Sequence, residues 1–380
     1  MLFLILMLIF INIVVVKADE DLAPNSKSAI LIEASTGNVL YEKNADEQLP
    51  PASMTKVMSM LLIMEAIDEG KIKLNDEVEI SPTAASMGGS QVFLQAGEKY
   101  VVEELLKGVA IASGNDAVVA LGEKVSGSVE KFVNMMNEKA HELKLENTHF
   151  ENPHGLDSDN HYTTARDMAI MAKELVKHKK ILEFTSIYEY YLKKPDGSST
   201  WLVNTNKLVR FYEGVDGLKT GFTSIAKYCL TATAQKSNMR LITVVMGVES
   251  SDLRSSDTVK LLNYGFNSFE LQTILKNDKS LGKIKVPNGK KEMVDVYLKE
   301  NATHLLNKSQ VNPNEKYHYD LKINEVKAPL NKGDIVGIAE IKNSANQVIK
   351  KVDIIVQEDI KKANVFDYFK KNLKLITTGI

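Results

Sequence analysis

A single cysteine, Cys229, occurs in 380 residues, so no intrachain disulfide can form and the fold has to rest on its core. Charge of one sign is also missing. Forty-seven Lys and Arg against 49 Asp and Glu leave a net charge of -2, which gives no general reason to expect nucleic-acid binding. No internal repeat or low-complexity tract is present. The one long apolar run, Leu2 to Val16, is broken only by Asn12 and is followed by Lys17-Ala18 and Asp19-Glu20-Asp21. It is short for a membrane span and reads as a secretory signal cut after Ala18, residues 1–18. Its start carries no Lys or Arg, which leaves an uncleaved anchor or a different start site open. Metal-ligand spacing is absent too: His149, His154 and His161 with Asp157 fit no zinc signature and read as loop polarity, so neither metal nor cofactor is expected.

What is present suffices for two globular domains, with 44% hydrophobic and 25% charged residues. Three short motifs carry the chemistry: Ser53-Met54-Thr55-Lys56, Ser113-Gly114-Asn115 and Lys219-Thr220-Gly221. Ser53 opens the run Val57 to Ile67, which lacks breakers until Gly70 and predicts a mostly buried helix. A serine there sits where free N–H groups and the helix dipole favour developing negative charge. Lys56 lies on the same face, and burial would lower its pKa enough for the neutral amine to take the serine proton.

Ser-x-x-Lys also occurs at Ser128, Ser224 and Ser280, where capping or loop roles explain it; Ser128 precedes the amphipathic stretch Val129 to Leu143. Ser113-Gly114-Asn115 breaks two buried helical segments and could aim a hydroxyl and an amide into a cleft. Lys219-Thr220-Gly221 occurs once, ahead of strand-like runs Tyr228 to Ala234 and Leu241 to Val248. On a strand edge it would offer a cation and a hydroxyl to a carboxylate, with Gly221 letting an extended substrate approach.

Ser28 to Glu33 and Asn38 to Tyr41 form a hairpin pattern, helices fill most of Ser53 to Glu183, and strands return from Tyr188. Thr164 and Asp167 stand in capping-box spacing before Ala165 to Lys177. The expectation is an α/β (α+β) fold, an antiparallel sheet flanked by helices over residues 26–270. Short strand-like runs then predict a smaller β-rich domain over 275–358. In the tail, Val365, Phe366, Phe369, Leu373 and Ile376 recur opposite five lysines, predicting an amphipathic helix over 361–380. Such a helix suits an anionic membrane surface better than its alternative, docking on its own domain.

The three motifs resemble those of the serine penicillin-recognising superfamily. Ser28 to Tyr41, Asn152-Pro153-His154-Gly155-Leu156 and Tyr162 to Ala169 are similar to stretches of the low-molecular-mass D-alanyl-D-alanine carboxypeptidases. The resemblance implies a β-lactamase/DD-peptidase-like fold and removal of the terminal D-alanine from peptidoglycan stem peptides outside the cytoplasm. Ser53 would be the nucleophile, also acylated by β-lactams, and Lys56 its general base. Ser113 would relay the proton to the leaving amine, and Asn115 would orient the peptide. Lys219 and Thr220 would hold the terminal carboxylate beside Gly221. The backbone N–H groups of Ser53 and Phe222 would form the oxyanion hole, and Arg254 stands where relatives carry a carboxylate-binding arginine. Two alternatives stay open: a β-lactamase, which the lack of Glu-x-x-Leu-Asn between Asn115 and Lys219 disfavours, and a penicillin-sensing or wall-binding module. The second needs neither a nucleophile nor its base.

Overall fold

The computed structural model describes residues 21–312 and 314–369. The expected signal segment, and Leu373 and Ile376 of the expected tail helix, lie outside the described residues.

An antiparallel five-stranded sheet organises the larger unit. Its order is Val39–Lys43, Ser28–Glu33, Met239–Val248, Lys227–Lys236 and Val215–Thr223, so the strand bearing Lys219 is an edge strand. The hairpin at the chain start, the adjacent hairpin and the Lys219 strand all stand where the sequence predicts them. Alternation along the strands splits the core in two, as the pleat requires. Ile30, Ile32, Cys229, Ile242 and Val244 face the helical mass, whereas Ala29, Leu31, Leu230, Ala232 and Val245 face the Ser251–Ser268 helix.

The serine helix, Lys56–Asp68, is buried without interruption from Lys56 to Met64. A helix apolar on all sides belongs at the centre of a core, and this one packs among Val102–Ala112, Asn115–Ser126, Val129–Glu142 and Ala165–Leu175. Caps fix the ends of those helices. Ser128 accepts from Lys131 N–H, and Thr164 Oγ1 accepts from Asp167 N–H at 3.0 Å. Asp167 does not complete the capping box. Its carboxylate turns to Asn147 N and Thr148 Oγ1 and pins that loop instead.

Residues after 268 build a separate apolar core, with Val294, Val296, Ala339, Ile341, Ile354 and Val356 at its centre. A second antiparallel five-stranded sheet carries it, ordered Gly282–Lys285, Met293–Leu298, Val348–Val356, Ile335–Lys342 and His318–Ile323. Among the described residues no helix is long and apolar enough to cross a membrane.

Candidate active site

Ser53 lies in the 3-10 turn Ala52–Thr55, which runs directly into the serine helix. Ala52 holds φ +47°, a left-handed conformation that a residue with a Cβ adopts at a cost of about 1–2 kcal/mol. One turn on, Lys56 is fully buried. Its Nζ sits 3.0 Å from Ser53 Oγ, 2.7 Å from Asn115 Oδ1 and 2.8 Å from His154 O. Burial pushes Lys56 well below the usual lysine range and nearby Lys219 pushes the same way, while Asp116 opposes them.

The Ser113-Gly114-Asn115 break joins two buried helices, as the sequence suggests. Ser113 caps the first with φ +64°. Its hydroxyl is buried and makes no hydrogen bond among the described residues. Asn115 opens the second helix with both ends of its amide engaged: Nδ2 donates to Gly88 O at 2.7 Å, which fixes Oδ1 toward Lys56. Beside it, the buried Asp116 accepts from the N–H groups of Val92 and Leu94 and so holds the intervening exposed Phe93 at φ +62°. No sequence motif marks Asp116; Val92 and Leu94 lie more than twenty residues away, and its other partner is only the adjacent Ala117 N–H.

Lys219 and Thr220 stand on the edge strand, both buried. Lys219 Nζ donates to Thr220 O at 3.1 Å, and Thr220 Oγ1 donates to Thr205 Oγ1 at 2.7 Å. Burial, reinforced by Arg254, brings the Lys219 ammonium down to about 7. Gly221 also has a packing reason to lack a side chain. A Cβ there would lie 2.7 Å from Pro51 O and 3.1 Å from Ala52 Cβ, so the missing side chain lets the strand close on the serine turn. Phe222 is exposed and stacks on Tyr228 with centroids 4.3 Å apart.

Arg254, in the first turn of the Ser251–Ser268 helix, is 6% exposed, and its buried Nε has no hydrogen-bond partner among the described residues. Burial lowers its pKa. A buried, unpaired guanidinium is costly unless an anion arrives to meet it. Arg254 is near enough to depress Lys219, and Lys219 near enough to depress Lys56, so the three basic groups share one electrostatic neighbourhood.

The histidines serve the loop that follows. His154 offers its carbonyl to Lys56, His149 Nδ1 meets Asn160 O at 2.6 Å, and His161 Nε2 lies 2.7 Å from Thr55 Oγ1.

The profile of the D-alanyl-D-alanine carboxypeptidase family matches residues 15–250, and that of the penicillin-binding protein 5 C-terminal domain matches residues 269–362. D-alanyl-D-alanine carboxypeptidase DacF of Bacillus subtilis is 48% identical over 94% of this chain and 91% of its own length. DacC of Escherichia coli is 36% identical over 90% of this chain and 86% of its own. Among solved structures, penicillin binding protein 5 from Haemophilus influenzae aligns with a TM-score of 0.71 and 33% identity, covering 89% of this chain and 98% of that one. With sequence, both domain profiles and fold in agreement across nearly the whole chain, this protein belongs to the serine-type D-alanyl-D-alanine carboxypeptidase family.

Proposed function

We propose that the protein removes the terminal D-alanine from peptidoglycan stem pentapeptides through an acyl-enzyme on Ser53, with Lys56 as the general base. The environment of Lys56 Nζ carries this reading. Asn115 Oδ1 and His154 O can only accept, so they take the two hydrogens of a neutral amine. The lone pair is left for Ser53 Oγ at 3.0 Å, the one partner of the three with a proton to give. Desolvation favours that neutral amine.

In the proposed sequence Ser53 Oγ attacks the carbonyl of the penultimate D-alanine as its proton passes to Lys56. The backbone N–H groups of Ser53 and Phe222 receive the oxyanion. The proton then reaches the leaving amine by way of Ser113, whose unpartnered hydroxyl is free to take it up. D-alanine departs, and water releases the acyl group. Asn115 orients the peptide. Lys219, Thr220 and Arg254 hold the terminal carboxylate, and Gly221 sets the distance between their strand and the nucleophile. β-Lactams acylate the same serine in this reading.

The catalytic domain is assigned to residues 26–270 and the β-rich domain to 275–358, which their separate apolar cores support. Residues 1–18 export the chain, and it works at the outer face of the cytoplasmic membrane or in the wall. The expected helix over 361–380 begins only at residue 365, because Lys361 O accepts from Lys290 N–H at 2.9 Å and Lys362 bridges to Gly289 in the β-rich domain. The tail beyond is read as lying along an anionic membrane surface. Support comes from the helical residues 365–369, where Val365 and Phe366 are 83% and 77% exposed, while Asp367 and Tyr368 tie the turn to Lys290 and Asn288 of the β-rich domain.

D-alanine release from a peptide ending in D-alanyl-D-alanine tests the chemistry. The parent should release it and Ser53→Ala should not; release by both would overturn the nucleophile assignment. Co-sedimentation with anionic vesicles tests the tail, with full-length protein bound and protein ending at Ile360 left in solution.

A further inference from the structure

The turn that carries Ser53 is held by a directed hydrogen-bond chain that reaches the first motif at Thr55 and starts outside all three, at Glu151 and His161. Glu151 N–H donates to His161 Nδ1 at 3.0 Å. A backbone amide can only donate, so Nδ1 is unprotonated and the ring hydrogen sits on Nε2. Nε2, 2.7 Å away, therefore donates to Thr55 Oγ1, and the Thr55 hydroxyl donates onward to Ala52 O at 2.8 Å. Every link after the first is sealed from water, since His161 is 3% exposed and Thr55 fully buried. The chain ends on the carbonyl of the residue with φ +47°, directly before Ser53.

The same loop presses on the same carbonyl from outside. Gly155, at φ +89°, lies so close that a Cβ would come within 1.8 Å of Ala52 O. The residue before it, His154, supplies the carbonyl that accepts from Lys56. One loop therefore touches both Lys56 and the turn that carries Ser53.

We propose that His161 is a positioning residue for the nucleophile: through Thr55 it fixes the Ala52 carbonyl, and with it the peptide plane that aims Ser53 Oγ at Lys56. This rests on the Ser53 reading above. A free Ala52 peptide in the left-handed region would relax toward ordinary φ values and rotate the serine away from the lysine. The chain opposes that rotation. Burial holds His161 down at about 4, so the neutral tautomer that the chain needs persists at neutral pH.

The test uses the full chain and variants His161→Phe, Thr55→Val and the double variant, with His161→Gln and Thr55→Ser as conservative partners. Fluorescent penicillin gives the acylation rate, peptide mapping gives the labelled residue, and D-alanine release gives kcat and KM separately. His161→Phe and Thr55→Val should each lower acylation and kcat by about 10- to 100-fold with KM little changed, the scale of a misplaced reacting group. The double variant should be no slower than the slower single one, because one chain is broken either way. Thr55→Ser should recover most of the rate lost in Thr55→Val, and Gln, which keeps a donor near Nε2, should recover part of the loss in Phe. Folded variants that acylate Ser53 at the parental rate overturn the proposal, as do losses that multiply in the double variant. Where His161→Phe does not fold, the comparison of Thr55→Val with Thr55→Ser decides it alone. A parent labelled elsewhere than Ser53 refutes the nucleophile reading, and this inference falls with it.

Discussion

Replacing Lys219 by Met should make the protein more stable and less active. The lysine is 1% exposed, and among the described residues its only side-chain hydrogen bond is to Thr220 O. Met matches its length and carries no charge. The fall of the ammonium from 10.5 to about 7 costs the folded state about 4 kcal/mol at pH 7, at about 1.4 kcal/mol per tenfold. Leaving Thr220 O without its donor returns about 1–2 kcal/mol. The net gain is about 2–3 kcal/mol, which for a unit of this size raises Tm by about 5–10 °C.

The sign gives a stricter check. The folded pKa lies below the unfolded one, so the destabilisation is complete below about pH 7, shrinks as pH rises toward 10.5 and vanishes above it. Denaturant melts of parent and Lys219→Met should therefore differ most near about pH 6 and converge near about pH 10. Acylation by penicillin, followed on the same samples, should fall by about 100-fold or more, as expected when a buried charge partner is removed. A variant less stable than the parent near pH 6, or a gap that widens with pH, would refute the reasoning.

Gly155→Ala should be the most damaging small substitution near the site. Its Cβ would meet Ala52 O at 1.8 Å in a backbone at φ +89°, so a loss of about 3 kcal/mol or more is expected in thermal melts. Arg254→Leu removes a buried cation that lacks an Nε partner, and should leave Tm unchanged or higher. It should also erase the preference for peptides with a free terminal carboxylate over their amides, measured as a ratio of kcat/KM. Asp116→Asn weakens the hold on Val92 and Leu94 by about 1–3 kcal/mol, and limited proteolysis should then cut beside Phe93 sooner than in the parent.

The three motifs are legible because their spacing is local. Ser53 and Lys56 are one turn apart, and an apolar run without polar periodicity announces a helix buried all round. Caps at Ser128 and Thr164 were readable for the same reason. What could not be read are partners set by the fold. His161 meets Thr55 across 106 residues, and Asp116 meets Val92 across 24. Asp167 had the right spacing for a reciprocal cap, but the nearby Asn147 and Thr148 compete for its carboxylate. The sequence reads Gly221 as room for an extended substrate; only packing reveals that a Cβ there would also crowd Pro51 O.

Three basic side chains, Lys56, Lys219 and Arg254, act on one another in order. Arg254 depresses Lys219, and Lys219 in turn depresses Lys56. A substrate carboxylate received by Lys219 and Arg254, as proposed, would reverse the first of these effects and keep Lys219 charged. That fixed charge continues to disfavour a proton on Lys56 and offsets the pull of the more distant carboxylate. A peptide with a free C-terminus thus satisfies the buried cations without protonating the base, whereas an amide leaves Lys219 uncompensated. Discrimination of this kind arises in how the site is charged before any bond is made, so it should appear in the acylation step and not only in binding.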